Sequence, residues 1–92
     1  MPCLHCLVEG RVQGVFYRAS TQQEANRLKL NGWVKNRLDG KVELIVCGEA
    51  NRLQEFETWL WQGPEYADVT RVSCQASSCS DDECPDNFVV TA

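Results

Sequence analysis

The sequence has no long apolar run and no excess of basic residues, and these two absences exclude large classes of protein. No hydrophobic stretch approaches the roughly 20 residues that a membrane-spanning helix needs, so we expect no membrane association. The formal net charge is −4, whereas nucleic-acid-binding domains usually carry a basic surface, so we expect no nucleic-acid partner. The N-terminus lacks the basic and then apolar pattern of a secretory signal, which predicts a cytoplasmic protein.

Patterns for cofactor and metal binding are also missing. The nucleotide-binding patterns GxxxxGK[ST] and GxGxxG do not occur, and the single histidine, His5, has no apparent catalytic partner. We therefore expect no cofactor and no bound metal. The six cysteines fall below the density of a disulfide scaffold, and in a reducing cytosol most are expected to be free thiols.

The hydrophobic pattern predicts a single domain, residues 1–92, in which strands and helices alternate. Alternating apolar residues predict strands over 4–9, 33–36, 41–47, 69–74 and 88–90. Apolar stripes with helical spacing predict helices over 19–30, ended by Asn31-Gly32, and over 51–62, begun by a capping box of Asn51 and Gln54. A polar loop is expected over 76–86. The order β-α-β-β-α-β plus a short C-terminal strand predicts an α+β, ferredoxin-like α/β sandwich, with both helices on one face of an antiparallel sheet.

The segment GRVQGVFYR, residues 10–18, lies between the first predicted strand and the first predicted helix. Gly10 and Gly14 can adopt positive φ, so the loop can turn successive backbone N–H groups inward. The helix that follows adds unpaired N–H groups and the positive end of its dipole, which favours an anion such as phosphate. Arg18 would lie in the first helical turn, where a cation is unfavourable by about 0.3–1 kcal/mol unless an anion is near. The segment therefore predicts an anion site.

This segment and a second one resemble the two signatures of the acylphosphatase family, small hydrolases of carboxyl-phosphate mixed anhydrides. The second is GWVKN, residues 32–36, followed by Asp39-Gly40, Val42 and Gly48. Later landmarks fit as well, and the match covers most of the chain. Two positions depart from the family pattern: Tyr17 replaces the usual Phe, and Lys29 stands where Gly is common in the family. The family's fold is the ferredoxin-like sandwich that the pattern already predicts.

The resemblance implies a function and a site. The substrate would be an acyl phosphate, the products a carboxylate and inorganic phosphate, and no cofactor would be needed. Arg18 would bind the phosphate and Asn36 would hold the attacking water. Backbone N–H groups would surround the phosphoryl oxygens, from Val12, Gln13, Gly14, Val15, Phe16 and Tyr17. Such a reaction needs mainly positioning and charge neutralisation, which an Arg fork, fixed amides and a non-titrating Asn can supply. We expect a monomer.

Cys3 and Cys47 are predicted to lie side by side at one end of two neighbouring antiparallel strands. The alternation turns Leu4 and Val46 toward the helices, so the two cysteines share the open face of the sheet. Cross-strand Cβ atoms lie about 4.5–5.5 Å apart, close enough for a bond after small adjustment. A disulfide is therefore predicted in oxidised protein, and it should not be needed for catalysis.

Two other functions are compatible with parts of the sequence. The start MPCLHC fits the M-x-C-x-x-C pattern of copper-chaperone-like domains, whose two thiolates hold a soft metal. Cys3 and Cys6 lie in a predicted strand, however, where residues three apart point to opposite faces. A metal site from Cys74, Cys79 and Cys84 matches no standard zinc spacing. The other alternative is a non-catalytic binding module on the same scaffold, and turnover of an acyl phosphate would distinguish it from an enzyme.

Overall fold

The computed structural model describes residues 2–77 and 85–91. Within them the elements are β1 (Cys3–Arg11), α1 (Tyr17–Arg27), β2 (Asn31–Asn36), β3 (Val42–Cys47), α2 (Ala50–Gln62), β4 (Asp68–Ser77) and β5 (Phe88–Val90). The strands form one sheet in the order β4-β1-β3-β2-β5. The predicted ferredoxin-like fold is confirmed, but the prediction of a purely antiparallel sheet is wrong, because β5 runs parallel to β2 and the sheet is mixed. No helix in the described ranges is long and apolar enough to cross a membrane.

One hydrophobic core lies between the sheet and the two helices. Alternate strand residues and one stripe of each helix are buried in it, which follows from the two-residue and 3.6-residue periods of the elements. The strands contribute Cys6, Val8, Val34, Val42, Leu44, Val46, Val72 and Phe88, and α2 contributes Leu53, Phe56 and Leu60. From α1 come Tyr17 and two members of the predicted stripe, Thr21 and Ala25, whereas the third, Leu28, is buried directly after the helix ends. Each large apolar side chain stabilises the fold by about 1.5–3 kcal/mol on burial.

The C-terminal end of α1 differs from the prediction. The helix stops at Arg27, three residues early, and Asn31 and Gly32 belong to β2. Lys29 takes the left-handed conformation, with φ 57°. The backbone N–H of Leu30 donates to the carbonyl of Ala25, so the chain turns out of the helix at the position where the family often has glycine.

The start of α2 also differs from the prediction. Its N-cap is Glu49, whose carbonyl accepts hydrogen bonds from the N–H groups of Arg52 and Leu53, and no side chain caps the helix. The predicted capping box is wrong because Asn51 already lies inside the helix. Strand β4 extends to Ser77, which pairs with Cys3, so the predicted loop begins later than residue 76. The rest of that loop, with Cys79, Cys84 and the acidic residues 81–83, lies outside the described residues apart from 85 and 86.

Four cysteines of the described residues form disulfides, where mostly free thiols were expected for a reducing cytosol. Cys3 lies directly opposite Cys47 in the β1–β3 pairing, and their sulfur atoms are bonded. A second bond, which the sequence reasoning missed, joins Cys6 to Cys74 across β1 and β4. Cys3 and Cys6 thus have different partners, whereas the copper-chaperone-like alternative needs both on one ion.

Candidate active site

The loop of residues 12–16 connects β1 to α1 and has a curled backbone. Gly14 has φ 74° and Phe16 has φ 62°, both in the left-handed region. Successive backbone N–H groups of the loop and of the first helical residue donate to no carbonyl within the described residues. They are the N–H groups of Gln13, Gly14, Val15, Phe16 and Tyr17. Unpaired N–H groups in such a loop, next to a helix N-terminus, form a concavity that suits an anion.

Gly10, which the sequence also assigned to the loop, has a different role. It lies inside β1 at a register shift against β4, with φ 124°. A Cβ atom there would collide with the carbonyl oxygen of Asp68. Gly10 therefore lets β4 approach β1 closely, and only Gly14 of the two shapes the loop.

Arg18 and Asn36, the two predicted catalytic residues, line the same cleft. The cleft has a volume of about 290 Å³. Ala19 and Val90 also line it, together with four residues of the predicted phosphate cradle: Val12, Gly14, Phe16 and Tyr17. Of the remaining two cradle residues, Val15 is buried, and Gln13 turns its side chain toward the β2–β3 turn. The fold thus brings an arginine, an amide side chain and unpaired backbone N–H groups to one place.

Arg18 lies in the first turn of α1, which contains no acidic residue. Its Nη1 donates to the carbonyl oxygen of Thr91 at 3.2 Å. In the part of the chain that the structure describes, no carboxylate forms an ion pair with this guanidinium. A guanidinium has five N–H donors, so most of its hydrogen-bonding capacity is available for an anion.

Asn36 is the last residue of β2 and pairs with Val42 of β3. Its Oδ1 atom is buried, and it is the one buried side-chain polar atom without a hydrogen-bond partner among residues 2–77 and 85–91. Leaving a buried acceptor unsatisfied costs about 1–3 kcal/mol. A donor that entered the cleft would recover that cost.

Gln13 holds the two sides of the site together. Its Nε2 donates to the carbonyl oxygens of Arg37 at 2.8 Å and Lys41 at 3.0 Å. These carbonyls flank the β2–β3 turn, which begins directly after Asn36. Only a backbone N–H role was predicted for Gln13, and its side-chain contacts were missed because they span elements that are distant in sequence.

Tyr17, the departure from the family's usual Phe, lines the cleft but has its hydroxyl anchored to α2. Its hydroxyl donates to the carbonyl oxygen of Leu60 at 2.7 Å in a buried setting. Burial raises the pKa of this phenol above its usual value, so it stays a neutral donor. The extra hydroxyl therefore fixes the start of α1 against α2.

No set of three or more His, Cys, Asp or Glu side chains in the described ranges is arranged to hold a metal ion. The polar groups that the structure gathers in the cleft are a cation, a neutral amide and backbone N–H groups. Such groups bind and orient an anionic substrate.

Most of the chain is similar to proteins of one known family. The acylphosphatase family model matches residues 4–90. An acylphosphatase of Pseudomonas aeruginosa is 49% identical over 73 residues, covering 79% of this chain and 80% of that protein. An acylphosphatase of Nitrosococcus oceani is 47% identical over 73 residues, covering 79% of this chain and 82% of that protein.

Solved structures agree with these sequence matches. The crystal structure of acylphosphatase from Bacillus subtilis superposes with a TM-score of 0.92 at 38% identity, over the whole of both chains. The structure of an acylphosphatase from Coxiella burnetii superposes with a TM-score of 0.91 at 41% identity, covering 98% of this chain and 92% of that one. The chain therefore belongs to the acylphosphatase family and is a hydrolase of the acylphosphatase type.

Proposed function

We propose that the chain hydrolyses acyl phosphates to a carboxylate and inorganic phosphate in the cleft that Arg18 and Asn36 share. The phosphoryl group would lie in the loop of residues 12–16, whose backbone N–H groups donate to no carbonyl of the described residues. The Arg18 guanidinium would neutralise charge on the equatorial oxygens with its planar fork of donors. The loop N–H dipoles are oriented before the reaction begins, so they need no reorganisation as charge develops.

The attacking water would donate one hydrogen bond to Oδ1 of Asn36. Its oxygen forms the new bond to phosphorus as the bond from phosphorus to the acyl oxygen breaks, and the carboxylate leaves with the electron pair. The water's proton passes to a phosphoryl oxygen of the substrate, so no protein base is required. The observation that supports this proposal most directly is the buried, unpartnered Oδ1 of Asn36 in the same cleft as Arg18.

Activity of purified protein in the presence of a chelator tests the reaction. Benzoyl phosphate should be hydrolysed without added metal, whereas a metal chaperone or a pure binding module would show no turnover. Arg18→Ala should lower kcat/KM by roughly 10²-fold or more, as removal of one preorganised donor does elsewhere. Arg18→Lys should restore little, because a point charge does not reproduce the fork.

Arg27→Ala is the matched control for Arg18. Arg27 lies on the same helix, is exposed, and pairs with Glu24 and Glu55 outside the cleft. This variant should keep normal activity. Near-normal turnover in Arg18→Ala would contradict the site, and loss of activity on chelation would contradict the metal-free reaction. The cytoplasmic location, the monomeric state and the absence of nucleic-acid or membrane partners stay predictions.

A further inference from the structure

Phe16 is an exposed aromatic residue in an unfavourable backbone conformation. Its side chain is 78% exposed, so the core does not hold it. Its φ of 62° lies in the left-handed region, which bulky L-residues seldom adopt. Backbone strain of this kind is concentrated at functional sites. A residue that is both strained and unburied gains little for folding, which suggests that its ring acts on a ligand.

The cleft beside Phe16 has an apolar wall. Val90 of β5 is also partly exposed and lines the same cleft, as does Ala19. The polar side chains among the lining residues are Arg18, Asn36 and Tyr17, and the Tyr17 hydroxyl is already bonded to α2. Of the apolar residues that line the cleft, Val12 is buried, whereas Phe16, Ala19 and Val90 are exposed, so these three are available to an acyl group.

The two cations next to Asn36 in the sequence, Lys35 and Arg37, are already paired with carboxylates. In the β2–β3 turn that follows Asn36, Nε of Arg37 lies 3.1 Å from Oδ2 of Asp39. Nζ of Lys35 lies 3.7 Å from Oε1 of Glu43. A second carboxylate on the acyl group of a substrate would have to compete for these cations, whereas an apolar acyl group would meet apolar surface.

We infer that Phe16 and Val90 contact the acyl group and make the enzyme favour acyl phosphates with an aromatic or bulky apolar acyl group over small ones. This inference rests on the proposed hydrolysis in the cleft. Contact would remove apolar surface of both the acyl group and the protein from water, and an aromatic acyl group could stack on the Phe16 ring. A methyl-sized acyl group would cover little of either side chain.

The test is the ratio of kcat/KM for benzoyl phosphate to kcat/KM for acetyl phosphate. Phe16→Gly should lower this ratio by roughly two- to tenfold, the range expected for loss of one aromatic pair. Glycine adopts positive φ freely, so this variant should fold at least as well as the wild type. Phe16→Leu should keep more of the ratio, and Val90→Thr, which replaces a methyl group with a hydroxyl of similar size, should lower it.

Tyr66→Ala is the matched control, because Tyr66 is a similarly exposed aromatic residue that does not line the cleft. It should leave the ratio unchanged. An unchanged ratio in both Phe16→Gly and Val90→Thr would overturn this inference and leave the proposed function standing. Equal losses on both substrates would assign Phe16 to phosphate binding and overturn it too. Failure of the wild type to hydrolyse either substrate would overturn the proposed function and this inference together.

Discussion

Asn36 has a side-chain acceptor that is buried and unpaired among the described residues, and this sets opposite expectations for activity and stability. Asn36→Ala should lower kcat by roughly 10²-fold or more, because the water would lose its acceptor. It should not lower the melting temperature, because the variant no longer buries an unsatisfied oxygen. Steady-state kinetics and thermal unfolding of the same preparation measure both.

Inhibition by inorganic phosphate separates the role of Asn36 in positioning water from a role in binding. Phosphate should still inhibit Asn36→Ala, because the loop amides and Arg18 remain. Asn26→Ala, an exposed asparagine on α1, is the control and should behave as the wild type in both assays. If phosphate inhibition disappears while kcat is kept, Asn36 binds phosphate and the proposed role is wrong.

At the C-terminal end of α1, one residue has a backbone conformation that is unfavourable for its type. Leu30 N–H bonds to Ala25 O, and Lys29 N–H bonds to Asn26 O, the hydrogen-bond pattern of a Schellman motif. That motif needs a left-handed residue after the helix, and here it is Lys29. An L-residue in the left-handed conformation costs about 1–2 kcal/mol of stability. Glycine avoids this cost, but the greater entropy of its unfolded chain offsets about 0.4–1 kcal/mol of the gain. Lys29→Gly should therefore stabilise the protein by about 0.5–1 kcal/mol, measured by denaturant or thermal unfolding.

Lys29→Ala separates the backbone effect from loss of the lysine charge. Alanine keeps a Cβ atom, so this variant should show no comparable gain. Both variants should keep normal kcat/KM, because Lys29 does not line the cleft. Equal stability of the glycine and alanine variants would mean that the left-handed conformation is not what limits stability here.

At the same scale, the sequence predicted the interior of each element better than its ends. Buried stripes such as Phe56 and Leu60 follow from periodicity alone, since the period sets which face is buried. The end of α1 depends on the φ of one residue, Lys29, which no hydrophobic pattern encodes. The parallel direction of β5 could not be predicted either, because three residues contain too little pattern to orient a strand.

For the site, Arg18 and Asn36 could be found because they lie in two recognisable segments. The side-chain contacts of Gln13 and the Thr91 carbonyl beside Arg18 could not. Both depend on how distant parts of the chain meet, and Val90 joins the cleft only because β5 pairs with β2. Local sequence spacing therefore identifies the two candidate residues but not most of the groups that surround them.

In the part of the chain that the structure describes, two disulfides attach the interior strand β1 to its neighbours β3 and β4. Cys3–Cys47 closes β1 onto β3, and Cys6–Cys74 closes β1 onto β4. Both lie in the first part of β1, whereas the loop of the candidate site follows the strand's end at Arg11. At about 3.3 Å per residue, the length of the strand separates the bonds from the cleft. The two bonds should therefore affect the stability of the whole molecule and not the cleft.

Reduction should accordingly lower stability and spare catalysis. The bonds join residues separated by 44 and 68 positions, and loops of this size are worth about 4 kcal/mol each in the chain-entropy view, less any strain. For a domain of this size, losing even half of one bond's contribution should lower the melting temperature by about 10 °C. Thermal unfolding with and without a thiol reductant measures this, and kcat/KM at 25 °C should stay within about twofold. The double variants Cys3→Ser/Cys47→Ser and Cys6→Ala/Cys74→Ala assign the effect to each bond, and peptide mapping without reductant should recover both pairs. Equal melting temperatures under the two conditions, or recovery of Cys3 joined to Cys6, would contradict the pairing.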